Sequence, residues 1–437
     1  MNKPFLFIIL CVCVSLHIAA QNYPHQSDIL WVTTPDRTDW IYQTGENATI
    51  AVAVYEYGVL LDNQEITYSI GQDCLEPDTR GSVTLKDGTA RIAIGTMDKP
   101  GFRDCQLSLQ ARGRTYKHHI KVGFSPEQIV PYTQMPDDFE DFWKQALEEQ
   151  AHCPMLPEVK YVEAYSSDKV ACYLVKLQCH RPGQFVYGYL TKPRAEGRYP
   201  VVVSPPGAGV KPMDPLKTLF YAENNCIRLD MEIHGINPAL DAETYRDISR
   251  TFGDHHRNGY LANSIAHRDT YYMKRVYLAC VRVVDYVCTL PEWDGANLIA
   301  QGGSQGGALA LILASLDSRI TACVANHPAL SDMAGYAEKG RTGGYPHFGR
   351  AYKGVELTPE VIRTLAYYDV INFARRITVP VFLTWGFNDN VCPPTTSYAV
   401  YNVLTCPKEA LITPVNEHWV STATRYAQLD WIQSQLK

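Results

Sequence analysis

The most constraining stretch of the chain is Gly302-Gly303-Ser304-Gln305-Gly306-Gly307, set between an apolar β-type run, Leu298-Ile299-Ala300, and an apolar helical run from Ala308 to Leu316. A serine flanked by glycines at such a junction predicts a turn so tight that a Cβ beside it would strike the neighbouring strand or helix. The turn presents the serine hydroxyl at a strand end, which makes Ser304 the candidate nucleophile. The bare string Gly-x-Ser-x-Gly is less specific, since about one chain in eight of this length would carry it by chance at average Gly and Ser usage. Context gives it weight. No Gly-x-Gly-x-x-Gly can be laid on these residues, so they are not a dinucleotide-binding turn.

A serine at its normal pKa is a poor nucleophile and needs a base and a group that orients the base. In a strand–turn–helix setting these follow in the order acid, then histidine. The apolar run 379–385 ends in Gly386-Phe387-Asn388-Asp389, and the run 409–413 ends in Pro414-Val415-Asn416-Glu417-His418. Asp389 and His418 are therefore expected on successive loops at strand C-terminal ends, where α/β sheets gather functional groups. Glu417 is the rival orienter, although the immediate neighbour of a histidine cannot easily reach the far side of its ring. An oxyanion hole needs two backbone N–H donors. One is expected from Gln305; the other comes from the loop Ser204-Pro205-Pro206-Gly207-Ala208-Gly209, whose prolines have no N–H. Gly207, Ala208 and Gly209 remain, and Ala208 is chosen.

The surrounding pattern predicts two units. Residues 28–124 hold short β-branched or alternating runs (49–54, 65–70, 82–85, 90–95, 106–111 and 116–122) separated by turn signals such as Lys86-Asp87-Gly88. That density of strands suits a sandwich of immunoglobulin type, in a supporting role. Residues 125–437 begin with a linker and an amphipathic helix, 138–150, carrying Phe139, Phe142, Trp143 and Leu147. Strands then alternate with helices at 271–287, 306–316 and 420–435, which implies an α/β architecture, a mostly parallel sheet with helices on both faces. This is the α/β-hydrolase arrangement.

Composition narrows the partners. With 40 Lys+Arg against 46 Asp+Glu, a net charge of −6 and no long run of either sign, nucleic acid is not expected as a partner. Residues 1–20 read as a cleaved signal peptide: Lys3, an apolar run from Pro4 to Ile18, then Ala19-Ala20. Export to the periplasm or the outside follows, with no membrane span after cleavage. Two of the 13 cysteines lie in that signal, leaving an odd number, so at least one is free or pairs with another chain. Cys280, Cys288 and Cys323 sit in apolar runs as small hydrophobes. Cys74 with Cys105 is the pair to test. No Cys or His spacing resembles a structural zinc site, and neither a metal nor an organic cofactor is expected. None of the 28 tyrosines is assigned to binding.

Taken together, these residues resemble the acetyl xylan esterase / cephalosporin-C deacetylase family, carbohydrate esterase family seven. The resemblance runs from about Pro136 to the C-terminus. It rests on Met135-Pro136-Asp137-Asp138-Phe139 with Phe142-Trp143, Tyr271 to Tyr277 leading to Val281-Arg282-Val283-Val284-Asp285, the 302–307 turn and the 388–396 loop. It implies a triad of Ser304, Asp389 and His418, oxyanion donors at Ala208 and Gln305, and an acetylated carbohydrate as substrate. The chain departs from the family at three places. The Arg-Gly-Gln motif reads His234-Gly235-Ile236, the aromatic of the oxyanion loop is Ala208, and the His-Glu pair is His418-Trp419. The expected function is a secreted serine carboxylesterase removing O-acetyl groups from plant-derived poly- or oligosaccharides. The alternatives are an esterase for another acyl or methyl ester, as on pectin, a peptidase on the same fold, or a non-catalytic glycan-binding protein. The oligomeric state is left open.

Overall fold

A computed structural model describes residues 28–252, 259–352 and 354–437. The expected signal, with Cys11 and Cys13, lies outside the described residues.

The N-terminal part is built from β1 (Ile29–Pro35), β2 (Ile41–Tyr42), β3 (Ala48–Glu56), β4 (Val59–Leu60), β5 (Glu65–Gln72), β6 (Thr79–Thr84), β7 (Thr89–Gly95), β8 (Gly101–Ala111) and β9 (Arg114–Phe124). They form two sheets. In one, β3 pairs antiparallel with β1, β4 and β7; the other runs β2-β9-β8-β5-β6, with only the β2–β9 pairing parallel. Alternation decides which residues face inward: Ile50, Val52 and Val54 of β3 meet Leu107 and Leu109 of β8 and Ile120 and Val122 of β9 in one apolar cluster.

The larger part carries β10 (Glu158–Tyr161), β11 (Val170–Gln178), β12 (Phe185–Pro193), β13 (Tyr199–Ser204), β14 (Ile227–Glu232), β15 (Trp293–Gly303), β16 (Ala322–Asn326), β17 (Val381–Trp385) and β18 (Lys408–Ile412). Its helices are α1 (Phe139–Ala151), α2 (Phe220–Glu223), α3 (Ala242–Phe252), α4 (Tyr272–Val287), α5 (Gln305–Leu316), α6 (Pro359–Ala366), α7 (Val370–Ala374), α8 (Pro394–Val403) and α9 (Thr422–Ser434). The nine strands make one sheet in the order β10-β11-β12-β14-β13-β15-β16-β17-β18. Pairings from β14 through β18 are parallel, and β10, β11 and β12 form an antiparallel edge.

Both faces of this sheet are covered, and the period of two shows it. Val201, Val203, Leu298 and Ala300 pack with α4 and α5, while Val202, Ile299 and Val324 pack with Leu429 and Ile432 of α9. Such strands read as continuous apolar runs because neither face meets water. Helix α5 is apolar on nearly every side for the same reason: it is buried from Gln305 through Ala314.

The N-terminal sheets are joined to this body. Phe102 of β8 leaves its own cluster to pack edge-on against Phe387, ring centres 5.0 Å apart. The expected Cys74–Cys105 pair does not form. Cys105 is buried in the cluster between the two N-terminal sheets, whereas Cys74, beyond the end of β5, turns its Sγ to the Asn390 carbonyl oxygen 3.8 Å away. All eleven described cysteines are free thiols.

Candidate active site

Ser304 sits between β15 and α5 with φ 59° and ψ −123°, a strained conformation for a residue with a side chain. The surroundings hold it there. Its N–H donates to the Asn326 carbonyl at 3.0 Å, and its own carbonyl accepts from Ala308 at 3.0 Å and Ala329 at 3.1 Å. The flanking glycines answer a steric demand. A Cβ on Gly302 would lie 2.3 Å from the Gly306 oxygen, and one on Gly306 would lie 2.4 Å from the Pro205 oxygen.

Asp389 follows β17 and His418 follows β18, at the same sheet edge as Ser304. The structure brings all three together. His418 Nε2 lies 3.0 Å from Ser304 Oγ, and His418 Nδ1 lies 2.7 Å from Asp389 Oδ2. The other carboxylate oxygen, Oδ1, accepts the N–H groups of Val391 at 2.7 Å and Cys392 at 2.8 Å. Burial alone would raise the Asp389 pKa. The hydrogen bond and charge of His418, the charge of His327 and the Cys392 amide outweigh it and hold the carboxyl below its ordinary value. An ionised carboxylate only accepts, so Nδ1 carries the ring proton and Nε2 is free to accept the Ser304 hydroxyl. Glu417 does not compete. Its carboxylate is largely exposed and lies 3.7 Å from His119 Nε2.

Gln305 opens α5, so its N–H has no acceptor one turn earlier in the helix. The loop expected to give the second donor crosses the turn, as the Gly306–Pro205 approach shows. Within it, the Gly209 N–H donates to the Tyr260 hydroxyl at 3.0 Å, leaving Gly207 and Ala208 of the three candidates. The Tyr260 hydroxyl in turn donates to Gln305 Oε1 at 2.7 Å, so one phenol ties both sides of the expected oxyanion hole. His234 packs edge-on against the Tyr260 ring at 4.7 Å and bonds the Tyr272 hydroxyl at 2.8 Å. Burial, then the charge of Arg275, lowers the His234 pKa to about 3, so it is neutral and serves packing.

Tyr260 and His327 were not singled out by sequence reasoning. The His327 ring lies 4.3 Å from the His418 ring, and burial followed by the charge of His418 lowers its pKa to about 4. It therefore puts no second charge beside the His418 imidazole at neutral pH. Neither residue lies in a recognisable motif; Tyr260 meets a side chain 45 positions away. Among the described residues, His327, Asp389 and His418 are the one cluster with metal-ligand atoms close together, within 4.8 Å. Two of them already bond each other.

The loops bearing Asp389 and His418 run side by side through Gly386, where an added Cβ would lie 2.0 Å from the Asn416 carbonyl oxygen. Gly386→Ala should therefore cost about 1–3 kcal/mol in urea unfolding and lower kcat together with stability, because the two loops must part. A variant with the wild-type midpoint and rate would show that this approach is not needed.

Comparison with known proteins decides the family. Residues 127–435 match the model of the acetyl xylan esterase family (AXE1). The chain belongs to the acetyl xylan esterase family. It is 53% identical to acetyl esterase Axe7A of Xylanibacter ruminicola over 437 residues, 100% of this chain and 97% of that protein. Among solved structures, the acetyl xylan esterase from Paenibacillus sp. R4 is 27% identical and superposes with a TM-score of 0.61, covering 71% of this chain and 98% of that one. Acetyl xylan esterase 1 from Thermoanaerobacterium sp. JW/SL YS485 has the same TM-score and coverage at 22% identity and shares the fold. The protein is thus an esterase, a deacetylase of the α/β-hydrolase fold. The family match begins beyond the N-terminal sheets, which lie before residue 127.

Proposed function

We propose that this acetyl xylan esterase family member removes O-acetyl groups from plant-derived poly- or oligosaccharides through an acyl-enzyme on Ser304. The observation that carries the reading is the unbroken chain from Ser304 Oγ to His418 at 3.0 Å and on to Asp389 at 2.7 Å. His418 Nε2 takes the Ser304 proton as Oγ attacks the acetyl carbonyl. Backbone N–H groups of Gln305 and Ala208 receive the developing oxyanion. As the intermediate collapses, the imidazolium returns the proton to the departing sugar oxygen. Asp389 stabilises that imidazolium and keeps its tautomer. Water then releases acetate from the serine by the same steps. The sugar is read into the cleft of about 400 Å³ along the 205–209 loop, where Lys211, Asp214 and Asp230 offer polar contacts.

The same reading has residues 1–20 as a cleaved export signal, residues 28–124 as a sandwich domain of immunoglobulin type, and residues 125–437 as the catalytic domain. Among the described residues no helix is long and apolar enough to cross a membrane. The test is a panel of acetylated xylan, acetylated pectin and small acetyl sugars, with acetate measured, and a fluorophosphonate adduct mapped by mass spectrometry. Acetate release with the adduct on Ser304 is expected. Methanol released from pectin without acetate, or an adduct on another residue, would overturn the assignment.

A further inference from the structure

The N-terminal sheets reach the acid of the triad through a buried ammonium. Lys121, on β9, is fully buried, as is its ion-pair partner Asp73, 2.7 Å away. Its Nζ also donates to the Asp389 main-chain carbonyl at 2.7 Å, and its N–H donates to Asn388 Oδ1 at 2.9 Å. Asn388 Nδ2 continues to the Val415 carbonyl at 3.2 Å, on the loop that leads to His418. Asp73 is tied to the same region, since Oδ2 accepts from Thr395 at 2.9 Å and its carbonyl accepts from Thr342.

Among the described residues Lys121 is the one lysine in the interior. Burying an ammonium costs several kcal/mol, and an apolar side chain of similar size serves a purely structural contact at least as well. The position of the charge is therefore informative: it lies on the backbone of the residue whose side chain orients His418. With Oδ1 held by two amides, Oδ2 by His418 and the carbonyl by Lys121, every oxygen of Asp389 is fixed. Burial alone would lower the Lys121 pKa, but the negative charges around it, Asp73 first, outweigh burial and raise it, so it stays charged.

We propose that Lys121 is a positioning residue for deacetylation, holding the Asp389 loop in register with His418, so that the N-terminal sheets form part of the working active site. The proposal rests on the triad reading above. Lys121→Met removes the donor but strands the Asp73 charge; the double variant Lys121→Met/Asp73→Asn removes both charges and leaves no buried ion unpaired. Val52→Ala, in the N-terminal core, is the control for stability alone. Active sites are counted by fluorophosphonate labelling run to completion, and p-nitrophenyl acetate hydrolysis is expressed per labelled site. The expected result is a kcat per site lowered by about 10- to 100-fold in the double variant, with KM within about twofold, since a small misplacement of a catalytic group costs that much. Val52→Ala should lower the thermal midpoint and leave kcat per site unchanged. A double variant within about twofold of wild type, or one that loses rate only as Val52→Ala does, overturns the proposal. Ser304→Ala, assayed alongside, reports separately on the triad: wild-type activity there would remove the reading on which the Lys121 role depends.

Discussion

Ser304→Ala is expected to lower kcat for acetyl ester hydrolysis by about 10⁵-fold, since loss of the nucleophile removes the covalent route whole and leaves only the oxyanion hole and binding. The fold should not suffer. Alanine keeps the Cβ that Ser304 already carries at φ 59°, and the backbone bonds to Asn326, Ala308 and Ala329 use no side-chain atom. Urea unfolding should therefore stay within about 1 kcal/mol of wild type, as for substitutions that break no packing or network. A steady-state assay with p-nitrophenyl acetate, checked against an active-site count so that contaminating wild type is excluded, gives the answer. Activity above about a tenth of wild type in a well-folded variant would take Ser304 out of the chemistry.

Asp389→Asn should cost about 10⁴-fold in kcat, by a different route. The asparagine oxygen can still accept from Val391 and Cys392, which leaves its amide N–H facing His418 Nδ1. The ring must then carry its proton on Nε2, where it cannot take one from Ser304. The substitution also has a signature in stability. The native Asp389 pKa is depressed below the ordinary value of 3.8, so its contribution is complete above that value and is lost as pH falls through the native one. The stability gap between wild type and Asp389→Asn, present near neutral pH, should narrow as pH falls below about 4. A gap unchanged at about pH 3 would mean the carboxyl is not held ionised by its neighbours.

How much of this was legible beforehand depends on how far each constraint reaches along the chain. The turn around Ser304 is local: glycines at 302 and 306 are demanded by backbone atoms within a few ångströms, and any Cβ there collides. The parallel strands are equally readable, because residues buried on both faces leave an unbroken apolar run. The order of Ser304, Asp389 and His418 follows from placing each on the loop after a strand. Those features were set by the amino-acid sequence itself.

Other features exist only once distant segments meet. The Gly209 amide is taken by Tyr260, 51 residues on, and no pattern near either residue announces the pairing. The free state of Cys74 and Cys105 is likewise decided by direction: one thiol enters the core between two sheets, and the other turns to Asn390, 316 residues away. The Asp389 carbonyl meets Lys121 across 268 residues. In sequence Lys121 is one polar residue in an alternating strand, a position that ordinarily faces water. Its side chain is instead in the interior because the N-terminal sheets close over the 388–392 loop, and that closure depends on packing between surfaces that neither segment specifies alone.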